Sequence, residues 1–267
     1  MDNHEVGRLF ARSGTIDPGI KSRIASYEFI YSWFGSQDED FIANLNQLSD
    51  GDLRLFPFRP AIPVTHMVEY YASCLDIHLP VQHHADVPLT SAGIQWVDGF
   101  WLEQGFVGKR LLVVAPGSGA REKNWPSSYF KEIARWWRQK DHGQVLVLLG
   151  PAEEDQGLEA LFAEDALVVK GLTLGQVVPL LARCEVYLGN DSGITHLAAV
   201  LGTRTVALFG PTDPLLWHPR GERVTLVRPR IDCSPSDLSA RNGGEHQSCL
   251  TDLSAKDVME FVDSLLE

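Results

Sequence analysis

The fold is indicated most clearly by the stretch Leu111-Leu112-Val113-Val114-Ala115-Pro116-Gly117-Ser118. In it, five consecutive apolar residues are followed by a turn of proline, glycine and serine. A continuous apolar run is typical of a parallel strand that is covered on both faces. A second run, Val145–Leu149, ends in Gly150-Pro151, and Tyr129–Lys140 between the two runs has helical spacing. The sequence therefore predicts a strand–helix–strand unit.

The same alternation continues towards the end of the chain. Further strands are predicted at 166–169, 186–188 and 205–209, and further helices at 153–162, 174–183, 192–201 and 254–267. Alternating strands and helices indicate a doubly wound α/β domain. Ligands of such sheets bind beyond the carboxyl ends of the strands, so the loops there are the candidate site.

The first 105 residues have a less regular pattern. Strands are predicted at 27–34 and 53–56, helices at 41–48 and 65–75, and a linking helix at 91–104. We therefore expect two domains, an N-terminal domain over residues 1–105 and a Rossmann-like domain with a terminal helix over 106–267.

Composition narrows the classes of function. The chain has 267 residues and a net charge of −12, which argues against a broad nucleic-acid-binding surface. An anionic ligand must therefore be held by a few placed groups. The N-terminus is polar and no apolar run is long enough to span a membrane, so we expect a cytoplasmic protein whose four cysteines are reduced.

The loop after the strand Leu111–Ala115 contains residues that suit the binding of a phosphate. Its glycines allow close approach of the backbone, Ser118 and Gly119 offer hydrogen-bond donors, and Lys123 offers a positive charge. An ordinary strand-to-helix turn with a solvated lysine is the alternative.

A second candidate loop carries Asp191-Ser192-Gly193 and then His196 on the following helix. Helix N-termini bind anions through free N–H groups and the helix dipole. The alternatives are a plain N-cap for Asp191 and a structural histidine. The turn Gly210–Pro214 ends the next strand and lies beside this loop at the same edge of the sheet, so it is also a candidate part of the site. A purely architectural turn is the alternative.

Glu154 follows another strand end, where a carboxylate could accept hydrogen bonds from a ribose, as in Rossmann sites; a surface helix start is the alternative. No metal site is expected. His78 and His83-His84 lack partners at ligand spacing, and Cys233, Cys249 and His246 are too few for a zinc site.

Taken together, the motifs resemble glycosyltransferase family 9, the heptosyltransferases of lipopolysaccharide core assembly. The resemblance covers about residues 105–262 and rests on blocks that occur in the family's order: Pro116-Gly117-Ser118-x4-Lys123-x-Trp125-Pro126, Gly150-x3-Glu154, Gly171-Leu172-Thr173-Leu174, Asp191-Ser192-Gly193-x2-His196-Leu197-Ala198 and Phe209-Gly210-Pro211-Thr212-Asp213-Pro214.

The resemblance implies a GT-B-like fold of two Rossmann-like domains and an inverting, metal-independent sugar transfer to a lipopolysaccharide or other glycan acceptor. It implies an ADP-heptose-like donor as substrate, no cofactor, and at most peripheral association with the inner face of the bacterial inner membrane. The implied donor contacts are Ser118, Gly119 and Lys123 at the diphosphate, Glu154 at the ribose, Leu172 near the base, Asp191 at the sugar, and Ser192, Gly193 and His196 around the phosphates.

The opening of the chain departs from the family pattern. Family members begin with a strand and a Gly-Asp loop whose aspartate is taken as the general base, and this chain has no such opening. Val6–Phe10 and Tyr27–Phe34 are expected to be inner strands of a truncated domain. The catalytic base is not identified, although Asp17, Asp38 and Asp40 are available.

Three interpretations follow. The chain is an active glycosyltransferase, or a catalytically inactive or truncated nucleotide-sugar-binding protein, or a sugar-nucleotide epimerase or hydrolase of GT-B architecture. A carboxylate that faces the donor site from the N-terminal half would distinguish the first from the second.

Overall fold

The computed structural model describes residues 7–12, 17–60, 65–79, 87–140, 143–150, 153, 157–231, 233 and 249–266. The chain divides into two compact units, Met1–Leu79 and Pro80–Glu267.

The described residues of the first unit form a two-stranded parallel sheet and three α-helices. Its elements are α1 (Pro18–Ala25), β1 (Phe29–Ser32), α2 (Glu39–Leu48), β2 (Asp52–Leu55) and α3 (Met67–Cys74). β1 pairs with β2 in register from Phe29 opposite Asp52 to Ser32 opposite Leu55. The sequence predicted the four elements from β1 to α3 to within a few residues, and it missed α1.

The start of the first unit differs from the prediction. Arg8–Phe10 forms a short 3-10 helix, so the strand expected over Val6–Phe10 is wrong for these residues; Val6 lies outside the described part. The physical reason is contact with residues distant in the sequence: Leu9 is buried against α1 and α2, and the Asn44 amide donates to the carbonyls of Leu9 and Ala11. The backbone there bonds to a side chain rather than to a strand.

The second unit is built on a six-stranded sheet whose strands are all parallel where they pair. Its elements are α4 (Ser91–Glu103), β3 (Leu111–Ala115), α5 (Ser127–Gln139), β4 (Gln144–Leu149), α6 (Leu158–Phe162), β5 (Leu167–Lys170), α7 (Leu174–Arg183), β6 (Val186–Asn190), α8 (Gly193–Val200), β7 (Arg204–Leu208), α9 (Pro214–Trp217), β8 (Val224–Val227) and α10 (Ala255–Ser264).

The strand order β5-β4-β3-β6-β7-β8 places the candidate loops together. The chain runs outward from β3 through β4 to β5, returns to the other side of β3 at β6, and then runs outward to β8. The order therefore reverses between β3 and β6, and the loops after these strands separate there. Open α/β sheets bind their ligands at such a switch point.

Helices cover the sheet on both faces, which explains why β3 is apolar throughout. On one face, Leu112 and Val114 pack in a cluster with residues of α5 and α10. On the other, Leu111 and Val113 pack in a cluster with residues of α4, α7 and α8. This double burial confirms the interpretation of the apolar runs as buried parallel strands.

Side-chain caps set the start of two of these helices. Thr173 and Gln176 form a reciprocal capping box at α7, and Ser254 and Asp257 form another at α10. Both starts were expected from the sequence. Among the described residues, no helix combines the length and the apolar character that crossing a membrane requires.

The structure also differs from the sequence prediction in its elements and in its domain boundary. Strand β8 and helix α9 were not predicted. The boundary between the compact units falls between Leu79 and Pro80 in the sequence, whereas the predicted domain boundary falls between residues 105 and 106. The expected linking helix is α4, which packs on α7 and so belongs to the second unit.

The cysteines also differ from expectation. Cys233 and Cys249 form a disulfide with their Cα atoms 5.7 Å apart, so the expected reduced state is wrong for this pair. Both are buried, and the short 3-10 helix Cys249–Asp252 brings the second to the first. Spacing alone could not reveal this contact, since 16 positions separate the two residues. Cys74 and Cys184 are free.

Replacing Ile133 by Ala tests the packing of α5 on the sheet. Ile133 is fully buried in the core cluster, and such truncations cost about 2–5 kcal/mol through lost transfer free energy and the cavity left behind. Urea denaturation followed by tryptophan fluorescence should show this loss. Leu102→Ala, at a side chain that is mostly exposed, is the matched control and should change stability by no more than about 0.5 kcal/mol. Equal effects of the two substitutions would contradict the described core.

Candidate functional site

The candidate site lies at the carboxyl ends of β3, β4, β5 and β6. A cavity of about 510 Å³ opens there. Backbone and small side chains from the loop after β3 form one wall, and apolar side chains of α7 and its preceding loop form another. The lining residues are Ala115, Gly117, Ser118, Gly119, Leu148, Leu149, Gly150, Glu153, Gly171, Leu172, Leu174, Val177, Ser192 and Ile194.

Four of the predicted donor-binding residues line this cavity, namely Ser118, Gly119, Leu172 and Ser192. Glu154 lies outside the described residues. Its neighbour Glu153 is the charged residue in the lining, and its Oε2 accepts a hydrogen bond from the Gly150 N–H at 2.8 Å. A Cβ on Gly117 would overlap the Glu153 carboxylate, so the glycine makes room for it.

Two further predicted residues, Lys123 and His196, lie around Asp191 beside the cavity. Lys123 Nζ donates to Asp191 Oδ2 at 2.8 Å, and His196 Nε2 lies 3.9 Å from Oδ1. Thr212 Oγ1 also donates to Oδ2, at 2.7 Å. Ser192 follows Asp191 directly and lines the cavity, so the cluster and the cavity are parts of one site.

The start of α8 differs in detail from expectation. A plain N-cap was the alternative role for Asp191, but Ser192 caps the helix and its hydroxyl accepts from the Thr195 N–H at 3.4 Å. The Asp191 carboxylate is instead turned towards Lys123 and Thr212. Gly193, the first residue of the helix, is exposed, and an added Cβ would meet no atom within 4 Å. Backbone N–H groups at this helix start are therefore approachable.

The side chain of Asn190 holds these parts together. Its Oδ1 accepts from the Trp125 N–H at 3.0 Å, and its Nδ2 donates to the Pro116 carbonyl at 2.7 Å. The amide thus joins the end of β6 to both ends of the loop that carries Ser118 and Lys123. The Trp125 indole in turn donates to the Leu253 carbonyl at 2.8 Å.

Ser118 has partners inside its own loop. Its hydroxyl is 2.8 Å from the Ala120 carbonyl and 2.6 Å from Asn124 Oδ1. One hydroxyl hydrogen serves one acceptor at a time, so a phosphate contact would replace one of these bonds. The predicted phosphate contact of Ser118 stays a prediction.

The electrostatics of the site centre on Asp191. Burial by itself raises the pKa of this carboxyl, but His196, Lys123 and Thr212 together lower the pKa to about 2. Only 8% of the Asp191 side chain is exposed, against 33% for Lys123. The site therefore holds a buried, ionised carboxylate beside a lysine that can reach solvent.

Sequence reasoning missed three residues of the site: Asn190, Glu153 and Thr212. Asn190 offered the clearest signal, because it is a polar residue that ends an otherwise apolar strand. Thr212 lies in the turn Gly210–Pro214, for which the sequence allows a purely architectural role. For the ribose contact, the sequence analysis selects Glu154 and not its neighbour Glu153.

The three N-terminal carboxylates that are available as a catalytic base make structural contacts. Asp17 caps α1 by accepting from the Gly19 N–H, and Asp38 caps α2 by accepting from the Phe41 N–H, both at 2.8 Å. Asp40 lies 3.8 Å from Arg12. None of these contacts assigns a catalytic base.

A Rossmann-like α/β unit with a cavity at its switch point defines a broad class of ligand-binding proteins. The chain belongs to glycosyltransferase family 9 (heptosyltransferase), whose family model matches residues 57–242. The predicted family is thereby confirmed.

Individual relatives agree with this membership. Lipooligosaccharide heptosyltransferase 2 of Campylobacter jejuni is 31% identical over 168 residues, which cover 60% of this chain and 52% of that protein. The chain spans about half the length of the curated relatives it matches.

Solved structures show the same fold. A family 9 glycosyltransferase from Veillonella parvula has a TM-score of 0.71 at 16% identity, with 100% of this chain and 80% of that chain covered. The ADP-heptose lipopolysaccharide heptosyltransferase II of Escherichia coli has a TM-score of 0.67 at 21% identity, with 93% and 80% covered. The predicted GT-B-like α/β class is confirmed.

Replacing Asn190 by Ala tests whether its amide holds the site loops. The change removes partners from the Trp125 N–H and the Pro116 carbonyl. An unsatisfied buried group costs about 1–3 kcal/mol, so we expect a loss of roughly 2–5 kcal/mol in urea denaturation. Asn46→Ala, at an exposed position of α2, is the control and should have little effect. A loss no larger than the control's would contradict the role of Asn190.

The low pKa of Asp191 predicts an acid-dependent contribution to stability. A carboxyl whose folded-state pKa lies below its unfolded value stabilises the fold above the unfolded pKa and loses this effect as pH falls through the folded pKa. Asp191→Asn should therefore cost about 2 kcal/mol at pH 7, and the difference should shrink between about pH 4 and about pH 2. Denaturation midpoints over the acid range in which the wild type stays folded measure this. A difference that is constant with pH would refute the assignment.

Proposed function

We propose that this chain binds the ADP-linked heptose donor of a heptosyltransferase in the cavity at the switch point of its six-stranded sheet. The observation that carries the proposal is the continuity of the cavity with the cluster of Lys123, Asp191 and His196 through Ser192. The choice of ADP-heptose is supported by the Escherichia coli protein of similar fold, which is an ADP-heptose lipopolysaccharide heptosyltransferase.

The base and the ribose would occupy the cavity itself. Leu172 and Leu174 present apolar surface to a base, and Glu153 presents a carboxylate that can accept from ribose hydroxyls. Glu154 stays the ribose contact that the family resemblance implies, and Glu153 is the described carboxylate that can serve the same purpose.

The diphosphate would lie at the start of α8. Ser192 and Gly193 begin the helix, where the free N–H groups and the helix dipole attract an anion. Lys123 adds a positive charge and His196 a ring nitrogen on the same side. In a chain of net charge −12 these placed groups have to supply the local attraction.

The transferred sugar would meet Asp191. An ionised carboxylate is a hydrogen-bond acceptor only, which suits the hydroxyl groups of a heptose. In the reaction, the acceptor oxygen forms a bond to the anomeric carbon from the face opposite the diphosphate, the bond from that carbon to the phosphate oxygen breaks, and ADP leaves with inversion.

The proposed reaction needs no metal or further cofactor, since Lys123 and the helix start can stabilise the negative charge that develops on ADP. The acceptor hydroxyl must lose a proton to a base, and no residue of this site is assigned to that step. We propose a lipopolysaccharide or related glycan as acceptor and, at most, a peripheral contact with the inner membrane.

Donor binding without transfer is the second candidate function. It is favoured by the capping roles of Asp17 and Asp38, which occupy two of the three carboxylates that the N-terminal half has available as a base. Both candidates require the donor site, and they differ in turnover alone.

Lys123→Ala tests the donor site by isothermal titration calorimetry with ADP, UDP and GDP. A charge-assisted hydrogen bond contributes about 1.5–3 kcal/mol, so the affinity for ADP should fall about ten-fold or more. Lys109→Ala, at an exposed lysine outside the cavity lining, is the matched control and should bind ADP as the wild type does. An ADP affinity that Lys123→Ala leaves unchanged would exclude Lys123 as the phosphate contact, and a wild type that binds none of the nucleotides would overturn the proposed function.

A further inference from the structure

Thr212 contacts the Asp191 carboxylate directly, although neither the family resemblance nor the cavity assigns it a role. Its Oγ1 lies 2.7 Å from Asp191 Oδ2, the same oxygen that accepts from Lys123 at 2.8 Å. The other oxygen, Oδ1, faces His196 Nε2 at 3.9 Å, which is longer than an ordinary hydrogen bond. The carboxylate is thus held through Oδ2, and Oδ1 can accept from a ligand.

The two donors to Oδ2 differ in how firmly they are placed. Lys123 reaches Asp191 with a long side chain that is one-third exposed. Thr212 stands on a short turn between Pro211 and Asp213. Asp213 caps α9 by accepting from the Leu215 N–H at 2.9 Å, and Pro214 fixes the first residue of that helix. The dihedral φ of both prolines is fixed by their rings, so the turn is stiff.

Donor binding would separate these two contacts. Under the proposed function, Lys123 turns to the diphosphate, because a phosphate offers more negative charge than the carboxylate it leaves. The Thr212 hydroxyl carries no charge, so the diphosphate attracts it less strongly than it attracts the lysine, and we expect it to stay bonded to Oδ2 when the lysine has moved.

We propose that Thr212 is a positioning residue that keeps the Asp191 carboxylate oriented towards the transferred sugar after Lys123 has moved to the diphosphate. The inference rests on the proposed function. It predicts that Thr212 matters for the sugar part of the donor and not for the nucleotide part.

The charge on Asp191 is consistent with this arrangement. The groups that face the carboxylate are His196 of α8, Lys123 of the loop after β3 and Thr212 of the turn after β7, and all three lower its pKa against the effect of burial. Loss of the Thr212 hydroxyl should therefore raise the pKa of Asp191 even without a ligand.

Thr212→Val tests the inference, because valine matches the shape of threonine and lacks its hydroxyl. Calorimetry of the full chain with ADP and with ADP-heptose should show an affinity for ADP within two-fold of the wild type and an affinity for ADP-heptose lower by about five- to thirty-fold, as expected for loss of one oriented hydrogen bond of about 1–2 kcal/mol. Thr212→Ser retains the hydroxyl and should restore most of the difference. The pH titration of the Asp191 carboxyl carbon by NMR, without ligand, should show a raised pKa in Thr212→Val.

Thr225→Val on β8 is the control, since Thr225 is also half-buried and its substitution should leave both affinities and the titration unchanged. Equal weakening of ADP and ADP-heptose, or failure of Thr212→Ser to restore binding, would overturn the inference and leave Thr212 a purely structural residue. An unchanged Asp191 pKa in Thr212→Val would overturn it as well. A wild type that binds neither ligand contradicts the proposed function instead, and the titration then decides alone whether Thr212 controls Asp191.

Discussion

The side-chain amide of Asn190 is the interaction on which the site depends. It is fully buried at the end of β6 and bonds both to the start of the loop after β3 and to the Trp125 N–H at its end. These two strands are neighbours, but the chain leaves β3 in one direction and returns at β6 from the other. A gap opens between their loops for this reason, and the amide keeps that gap at a fixed width.

The width of the gap determines which charges can meet. With the loop fixed to β6, Lys123 reaches Asp191, although 68 positions separate the two residues in the sequence. The ion pair satisfies a buried carboxylate that would otherwise carry a large desolvation cost. The same lysine is exposed enough to turn to an incoming phosphate, so the resting pair and the proposed donor contact use one charge in two positions.

The parts of this arrangement that could be predicted from the sequence are those determined by residues that lie close together in the chain. Apolar runs such as Leu111–Ala115 are diagnostic because burial on both faces leaves no polar position in the strand. The box of Thr173 and Gln176 marks a helix start because its two hydrogen bonds lie within four residues. The motifs that resemble family 9 also follow the ends of predicted parallel strands, so the sequence predicts that the cavity residues lie at one edge of the sheet.

The parts that could not be predicted depend on contacts between distant segments. Asn190 ends strand β6 and Thr212 lies in a turn, and the partners of both side chains are distant in the sequence. The strand expected over Val6–Phe10 failed for the same reason, since the Asn44 amide takes up the carbonyls of Leu9 and Ala11. The bond between Cys233 and Cys249 follows from the return of the chain past the turn at Gly210, which no spacing rule reveals.

In the proposed function, a nucleoside diphosphate lies at the switch point with its phosphates at the start of α8. Mapping amide chemical-shift changes on addition of ADP to the isotope-labelled chain tests this placement. We expect the largest changes at Gly119, Leu172, Ser192 and Gly193. Changes confined to the opposite edge of the sheet, at Glu185, Gly202 and Arg223, or no changes at saturating ADP, would contradict it.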